Sequence, residues 1–159
     1  MTIAVGDKLP DVKLVKATEQ GPEAVQSADY FAGKRVALFS VPGAFTPTCS
    51  AKHLPGFVEK AAELKAKGID EIVGTAVNDP FVMGAWNKAS GSSDITMLAD
   101  GNADFAKAVG LDKDSSAFKE GIRSKRYSMY VVDGVVKQLN VETKSGVNVS
   151  GSETILGQI

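Results

Sequence analysis

Residues 35–50 read RVALFSVPGAFTPTCS, and this stretch decides the predicted fold class. Residues 35–41 form a compact apolar run rich in β-branched side chains, which predicts a buried strand. The Pro-Gly pair that follows ends the strand. Residues 50–67 then have the Ala, Glu, Lys and Leu content of a helix, and Gly68 is placed to end it. A buried strand that leads through a short turn into a long helix indicates an α/β protein.

The rest of the chain alternates strands and helices and then closes with a hairpin and a helix. Four further strands are predicted, at residues 72–77, 95–99, 127–132 and 135–141. Three further helices are predicted, at residues 80–88, 103–109 and 152–158. Asp79 and Pro80 are a typical N-cap and first helical residue, and Asp133-Gly134 is a typical hairpin turn. This order predicts an α/β sandwich with a central mixed sheet, parallel early in the chain and antiparallel at its end.

The length and composition predict one globular domain over residues 1–159. Of the 159 residues, 43% are hydrophobic and 23% are charged, which is ordinary for a chain that buries a core. The formal net charge of −1 at pH 7 does not suggest nucleic acid or an anionic membrane as a partner. No apolar run reaches the roughly 18 residues that span a bilayer. The first residues, MTIAVGD, lack the features of a signal peptide, so we expect a cytoplasmic protein.

Patterns for metal or nucleotide binding are weak. One cysteine and one histidine cannot build a zinc site, and a single cysteine cannot form an internal disulfide. Residues 112–116 resemble the start of a calcium loop, but Ala117 stands where that loop needs glycine and Arg123 where it needs glutamate. No glycine-rich nucleotide-binding pattern occurs. We therefore expect neither a metal ion nor an organic cofactor.

Cys49, the only cysteine, follows the turn at the predicted start of the long helix. With Thr46 as N-cap and Pro47 as first helical residue, Cys49 takes the third helical position. Backbone N–H groups in the first turn have no partner within the helix, and the helix dipole is positive there. This environment favours the thiolate form of a cysteine. We therefore predict a reactive thiolate; the alternative is a buried, inert cysteine that packs as a small apolar side chain.

The segment from Pro42 to Cys49 resembles the active-site signature of peroxiredoxins, Pro-x-x-x-Thr-x-x-Cys. Its first six residues, PGAFTP, are similar to those of the type II, or five-type, subfamily. The likeness continues in KHLPGF at 52–57, VNDPFV at 77–82 and RYSM at 126–129, and so covers nearly the whole chain. The resemblance implies a thioredoxin-like fold with additional N-terminal strands. It also implies a thiol-dependent peroxidase that reduces hydrogen peroxide and alkyl hydroperoxides and serves cell redox homeostasis.

The same resemblance implies roles for four residues. Cys49 would attack one peroxide oxygen as a thiolate, while the other oxygen leaves as hydroxide or alkoxide. Thr46 would supply a hydroxyl, Cys49 its own N–H and Arg126 a guanidinium, and Pro42 would shape the pocket and shield the sulfur from water. Without the resemblance, Thr46 is equally well explained as a helix cap and Arg126 as a solvated surface charge. Arg123 is a weaker candidate for the role of Arg126.

His53 lies one helical turn after Cys49, on the same face of the predicted helix. A Cys–His pair is typical of a thiol hydrolase, but this alternative leaves Arg126 unused and has no clear group to orient the imidazole. We favour a structural His53 that packs near the helix kink expected at Pro55. A further alternative is a non-catalytic thioredoxin-like module for redox signalling or binding, although packing alone does not require Thr46, Cys49 and Arg126 together.

The absence of a second cysteine has a consequence for the catalytic cycle. A sulfenic acid on Cys49 must be reduced by another thiol. In relatives that resolve internally, the resemblance places the second cysteine either in the C-terminal loop, at the position of Val149 here, or on the strand after the first long helix, at the position of Gly74. We therefore expect an external thiol, with glutathione and glutaredoxin as the favoured donor and thioredoxin as the alternative.

The family likeness also suggests a homodimer that packs through the edge of the active site. Four apolar residues flank the turns near that site: Phe45, Phe81, Val82 and Trp86. The alternative is that these side chains belong to the core.

Overall fold

The computed structural model describes residues 1–159. The strands are β1 (Lys13–Thr18), β2 (Gly21–Gln26), β3 (Arg35–Ser40), β4 (Glu71–Ala76), β5 (Ile95–Ala99), β6 (Asp112–Asp114), β7 (Ile122–Ser124), β8 (Tyr127–Val132) and β9 (Val135–Val141). The α-helices are α1 (Ser27–Phe31), α2 (Leu54–Glu59), α3 (Ala61–Ala66), α4 (Pro80–Ala89), α5 (Asp104–Ala108) and α6 (Ser152–Gln158). A π-helical turn covers Cys49–His53, and a 3₁₀ turn covers Ser116–Phe118.

Seven strands form one mixed sheet in the order β2-β1-β5-β4-β3-β8-β9, and β6 pairs with β7 in a separate ribbon. Strands β3, β4 and β5 run parallel, whereas the other neighbouring pairs are antiparallel. The predicted central mixed sheet, parallel early and antiparallel late, is confirmed. The β8–β9 hairpin turns at Asp133-Gly134, where both residues have positive φ, 50° and 77°, as the favoured hairpin turns require.

Apolar side chains cover both faces of the sheet, as β3 illustrates. Ala37 and Phe39 point into one core cluster, while Val36 and Leu38 point into the other. This alternation arises because successive side chains of a strand face opposite sides. The first cluster also contains Cys49, so the sulfur lies at the edge of a packed core rather than on an open surface.

The helix predicted over 50–67 is wrong as one continuous element. The chain becomes helical at Pro47, passes through the π-helical turn, continues as α2 and stops at Lys60, where φ is −98° and ψ is 7°. Helix α3 then begins anew and ends before Gly68. The first helical residue was therefore predicted correctly, and the interruptions were missed.

The π-helical turn has a local cause in Pro55. A proline has no N–H to donate to the carbonyl four residues earlier, and its ring crowds that carbonyl. Just before Pro55, the N–H of Leu54 does not bond to the carbonyl four residues back, as in an α-helix. It bonds to the carbonyl of Cys49, five residues back. The irregularity expected at Pro55 is thus confirmed, and it lies in the turn that carries the cysteine.

The other predicted strands and helices are present, with ends shifted by at most two residues. No strand or helix was predicted from residue patterns before residue 35, yet β1, β2 and α1 lie there. Strands β1 and β2 are the additional N-terminal strands that the resemblance implied. The longest helix, α4, has 10 residues, and no helix is both long and apolar enough to cross a membrane.

Candidate active site

The turn after β3 places Thr46 at the N-terminus of the helix that carries Cys49. The Thr46 carbonyl accepts the first helical hydrogen bond, from the N–H of Ser50 at 2.9 Å. Its hydroxyl does not cap a backbone N–H; it donates to the carbonyl of Gly43 at 2.7 Å. The N-cap position of Thr46 is confirmed, but its side chain keeps its oxygen lone pairs available, and the N–H of Cys49 has no acceptor within the chain.

Arg126 lies against the sulfur of Cys49. Its Nη2 donates to Sγ at 3.1 Å, although the two residues are 77 positions apart in the chain. The sulfur is completely buried. The interpretation of Arg126 as a solvated surface charge is wrong, because the antiparallel pairing of β3 with β8 brings the start of β8 beside the end of β3.

His53 holds the other nitrogen of the guanidinium. Its Nδ1 lies 2.9 Å from Nη1 of Arg126, and its Nε2 lies 2.9 Å from the carbonyl oxygen of Ser150. A carbonyl only accepts, so Nε2 carries the proton and Nδ1 accepts from Arg126. Burial, together with the positive charge of Arg126, lowers the pKa of His53 to about 4, against a weaker opposing effect of the Ser150 carbonyl. His53 is therefore neutral near pH 7 and orients Arg126 rather than Cys49.

Arg123 does not reach the sulfur. Its Nη1 donates to the Val77 carbonyl at 3.0 Å and its Nε to the Glu120 carbonyl at 2.8 Å. Both bonds connect Arg123 to backbone segments beside the turn. Arg123 packs against the turn at Gly43, since a Cβ added to that glycine would lie 3.6 Å from Nη1. Of the two arginines considered from the sequence, only Arg126 contacts the cysteine.

The turn that contains Pro42 is held from outside by Asn78. The side-chain Oδ1 of Asn78 accepts the N–H of Ala44 at 2.9 Å. Pro42 is half-buried in this turn, and Phe45 adopts a positive φ of 63°, which is uncommon for a residue other than glycine. Asn78 was not among the residues predicted for the site, although it follows β4 closely, at the same sheet edge as the turn.

A match to the Redoxin family covers residues 4–156. The chain belongs to this family, among the peroxiredoxins. It is 45% identical to Peroxiredoxin-2B of Arabidopsis thaliana, over 97% of this chain and 96% of that protein. It is 48% identical to the chloroplastic Peroxiredoxin-2E-2 of Oryza sativa subsp. japonica, over 98% of this chain and 72% of that protein. The reduced Prx3 of Vibrio vulnificus, in complex with hydrogen peroxide, has a TM-score of 0.95, 50% identity and 98% coverage of both chains.

These similarities confirm the predicted thioredoxin-like peroxiredoxin fold and the type II subfamily. The chain is a thiol-dependent peroxidase, an oxidoreductase. The hydrolase and the non-catalytic module are therefore not supported. The geometry also disfavours a Cys–His pair, because Arg126 occupies Nδ1 of His53 and Ser150 occupies Nε2.

The two positions considered for a second cysteine differ in their surroundings in this peroxiredoxin. Gly74 lies inside β4, and a Cβ there would be 2.9 Å from Cζ of Phe39 and 3.0 Å from Sδ of Met97. Val149 is 42% exposed in the loop between β9 and α6. Cys49 is the only free thiol, and no group of three or more His, Cys, Asp or Glu side chains could hold a metal ion.

The apolar residues around the turn divide into two kinds. Phe45 and Phe81 are 54% and 71% exposed, while Val82 is partly buried. Trp86 is buried in the core, where its Nε1 donates to Oγ of Ser50 at 3.0 Å. Trp86 therefore belongs to the core, which was one of the two alternatives considered for it, and it lies close to the helical turn that carries Cys49.

Proposed function

We propose that Cys49 is the peroxidatic cysteine and that it reduces hydrogen peroxide and alkyl hydroperoxides. The observation that carries this proposal is the contact of Arg126 with the buried sulfur, at 3.1 Å. A permanently charged guanidinium stabilises a thiolate in a place that water does not reach. The solved relative in complex with hydrogen peroxide supports the choice of substrate.

The groups around the sulfur are suited to reduction of a hydroperoxide. The Cys49 thiolate attacks one peroxide oxygen, the O–O bond breaks, and the other oxygen leaves with the bonding pair and takes up a proton as water or alcohol. The sulfur becomes a sulfenic acid. Arg126 and the unpaired N–H of Cys49 are the donors for the charge that develops on the oxygens.

The proposed role of Thr46 is more specific than the supply of a hydroxyl. Its proton is already donated to Gly43, so its oxygen is free to accept the hydrogen of the hydroperoxide. The proposed role of Pro42 is to limit the access of water to the sulfur from the side of the turn.

The experiment is intact-mass analysis after addition of one equivalent of hydrogen peroxide. We expect one added oxygen, trapped by dimedone, in the wild type and none in Cys49→Ser. Arg126→Gln should slow oxidation by about a hundredfold or more. The matched control is Lys125→Gln, since Lys125 is an exposed neighbour with no side-chain hydrogen bond. Equal oxidation of Arg126→Gln and Lys125→Gln would contradict the role of Arg126.

We further propose that an external thiol completes the cycle, with glutathione and glutaredoxin preferred over thioredoxin. The single cysteine supports an external donor. One thiol attacks the sulfenic sulfur and releases water, and a second thiol attacks the mixed disulfide and regenerates Cys49. Turnover coupled to NADPH should require glutathione and glutaredoxin. Equal turnover with thioredoxin alone, in the absence of glutathione and glutaredoxin, would contradict the preference.

We propose a homodimer through the surface that contains Phe45 and Phe81. Phe45, in the turn before Cys49, and Phe81, in the first turn of α4, are both large aromatic side chains that the chain leaves exposed, and burial of such side chains against a second copy is favourable. Sedimentation at micromolar concentration should show a dimer for the wild type and a monomer for Phe81→Asp. Val5→Asp is the control, because Val5 is 59% exposed next to Ile3, which belongs to the opposite core cluster.

The cytoplasmic location also remains a proposal. Fractionation of the source cells with an antibody to this chain would test it, and recovery in an organelle fraction would contradict it.

A further inference from the structure

Glu142, directly after β9, accepts several hydrogen bonds from the loop of residues 143–151 on one carboxylate oxygen. Its Oε2 accepts the N–H groups of Asn148, Val149 and Ser150, each at 2.8 Å, and the hydroxyl of Ser150 at 2.6 Å. Residues 143–151 contain no helix or strand, so these four bonds replace regular backbone pairing. Bonds to an ionised acceptor are stronger than bonds between neutral groups. The carboxylate therefore defines the shape of this loop.

The ionised state of Glu142 is favoured by the same contacts. Burial acts to raise the pKa of Glu142, but the hydrogen bonds from the Ser150 side chain and from the three N–H groups outweigh it, and the pKa lies below its usual range. The carboxylate is thus charged under all conditions in which the enzyme is expected to work.

The loop that Glu142 shapes delivers a carbonyl group to His53. The N–H and hydroxyl of Ser150 bond Glu142, and its carbonyl oxygen lies 2.9 Å from Nε2 of His53. Ser150 and His53 are both buried, so water does not replace this bond. His53 in turn contacts Nη1 of Arg126 at 2.9 Å, and Nη2 of Arg126 contacts the sulfur of Cys49 at 3.1 Å.

A second link runs through the backbone. The N–H of Glu142 donates to the carbonyl of Arg126 at 3.0 Å. Glu142 therefore holds both the backbone of Arg126 and, through Ser150 and His53, its guanidinium. These contacts connect a carboxylate outside the peroxide site to the sulfur without a gap in the chain of hydrogen bonds.

We propose that Glu142 is a positioning residue for the peroxidase reaction, which sets Arg126 against the Cys49 sulfur through the Ser150 carbonyl and His53. This inference rests on the proposed role of Arg126. The Ser150 carbonyl keeps the His53 proton on Nε2, so Nδ1 remains an acceptor for the guanidinium. Without that carbonyl, the proton of His53 is free to move from Nε2 to Nδ1. A protonated Nδ1 could no longer accept a hydrogen bond from Nη1 of Arg126, and the two N–H groups would face each other.

The test compares Glu142→Gln with Glu153→Gln, a control on the exposed first turn of α6 that makes no side-chain hydrogen bond. Two quantities are measured: the rate of oxidation by hydrogen peroxide, and the pH profile of Cys49 alkylation by iodoacetamide. We expect Glu142→Gln to lower the oxidation rate by about tenfold to a hundredfold and to move the alkylation midpoint to higher pH. Glu153→Gln should leave both unchanged.

A double-mutant cycle with Arg126→Gln separates positioning from simple loss of fold. In the Arg126→Gln background, Glu142→Gln should have little further effect on either quantity, because the group it positions is gone. An equal effect in both backgrounds would overturn the proposal, and so would a folded Glu142→Gln with wild-type rate and profile. If Arg126→Gln itself leaves oxidation unchanged, the proposed function fails instead. Should Glu142→Gln not fold, Ser150→Ala, which loses one of the four bonds and retains the carbonyl, must show a smaller shift in the same direction.

Discussion

His53 should make the stability of this peroxiredoxin depend on pH below neutrality. The side chain is 1% exposed and neutral, and its pKa is lowered from 6.5 to about 4, chiefly by burial and further by the charge of Arg126. In the unfolded chain the imidazole takes up a proton near its ordinary pKa of 6.5. Between these two values the unfolded state binds more protons than the folded state, so the free energy of unfolding falls as the pH falls.

The size of this effect follows from the interval between the two pKa values. From 6.5 down to about 4, at roughly 1.4 kcal/mol per pH unit, the loss amounts to about 3 kcal/mol. The contribution is constant above pH 6.5, where both states are neutral, and levels off again below about pH 4. A loss of this size is a large part of the stability of an ordinary domain.

The assay is urea unfolding of the wild type and of His53→Gln between about pH 7.5 and about pH 4.5, followed by the fluorescence of Trp86, the only tryptophan. Glutamine retains a donor and an acceptor but does not titrate. The difference between the two proteins removes the contributions of the carboxylates, including Glu142. The wild type should lose up to about 3 kcal/mol more than His53→Gln over this range. Parallel stability curves would refute the reasoning.

Three further predictions concern the turn and the sheet. Thr46→Val removes the proposed acceptor oxygen and the bond to Gly43, so oxidation of Cys49 by peroxide should slow by about a hundredfold. Thr46→Ser retains the hydroxyl and should stay within about tenfold of the wild-type rate. The rates are measured by stopped-flow fluorescence of Trp86, and equal rates for the two variants would contradict the proposed role of Thr46. Gly74→Ala should lower the free energy of unfolding in urea by about 1–3 kcal/mol, because the new Cβ would lie 2.9 Å from Phe39. The control is Gly84→Ala in helix α4, which should be neutral or stabilising because its Cβ would lie 3.6 Å from that of Ala17. Equal stability of the two variants would show that the core around Gly74 adjusts to the extra methyl group. Asn78→Ala frees the N–H of Ala44 and should lower the oxidation rate by about tenfold, and an unchanged rate would mean that the turn holds its shape without Asn78.

Local sequence patterns were sufficient for the elements whose cause is local. The hairpin at Asp133-Gly134, strand β5 and helix α6 were predicted with their observed ends, because turn residues and short periodic runs act over a few positions. The helix start at Pro47 and the position of Cys49 beside it belong to the same class. The break at Lys60 was missed, since no proline or glycine between Phe57 and Lys67 marks it.

Pairing between distant parts of the chain decided the rest. Strand β1 has the sequence KLVKAT, whose lysines do not suggest a buried strand, and it is a strand because it pairs with β2 on one side and β5 on the other. The register of β3 with β8 likewise decided that Arg126, and not Arg123, reaches the sulfur. A spacing of three residues in the sequence does not distinguish these two arginines.

The sequence by itself determined the α/β order of elements, the family likeness and a lone cysteine at the start of a helix. The family likeness already pointed to Arg126, and the tertiary structure placed it at the sulfur. Only the tertiary structure showed a neutral His53 behind that arginine, and Ser150 and Glu142 behind the histidine. The physical reason is that helix starts and turns depend on neighbouring residues, whereas a hydrogen-bonded chain across 77 and 97 positions depends on sheet register and loop closure.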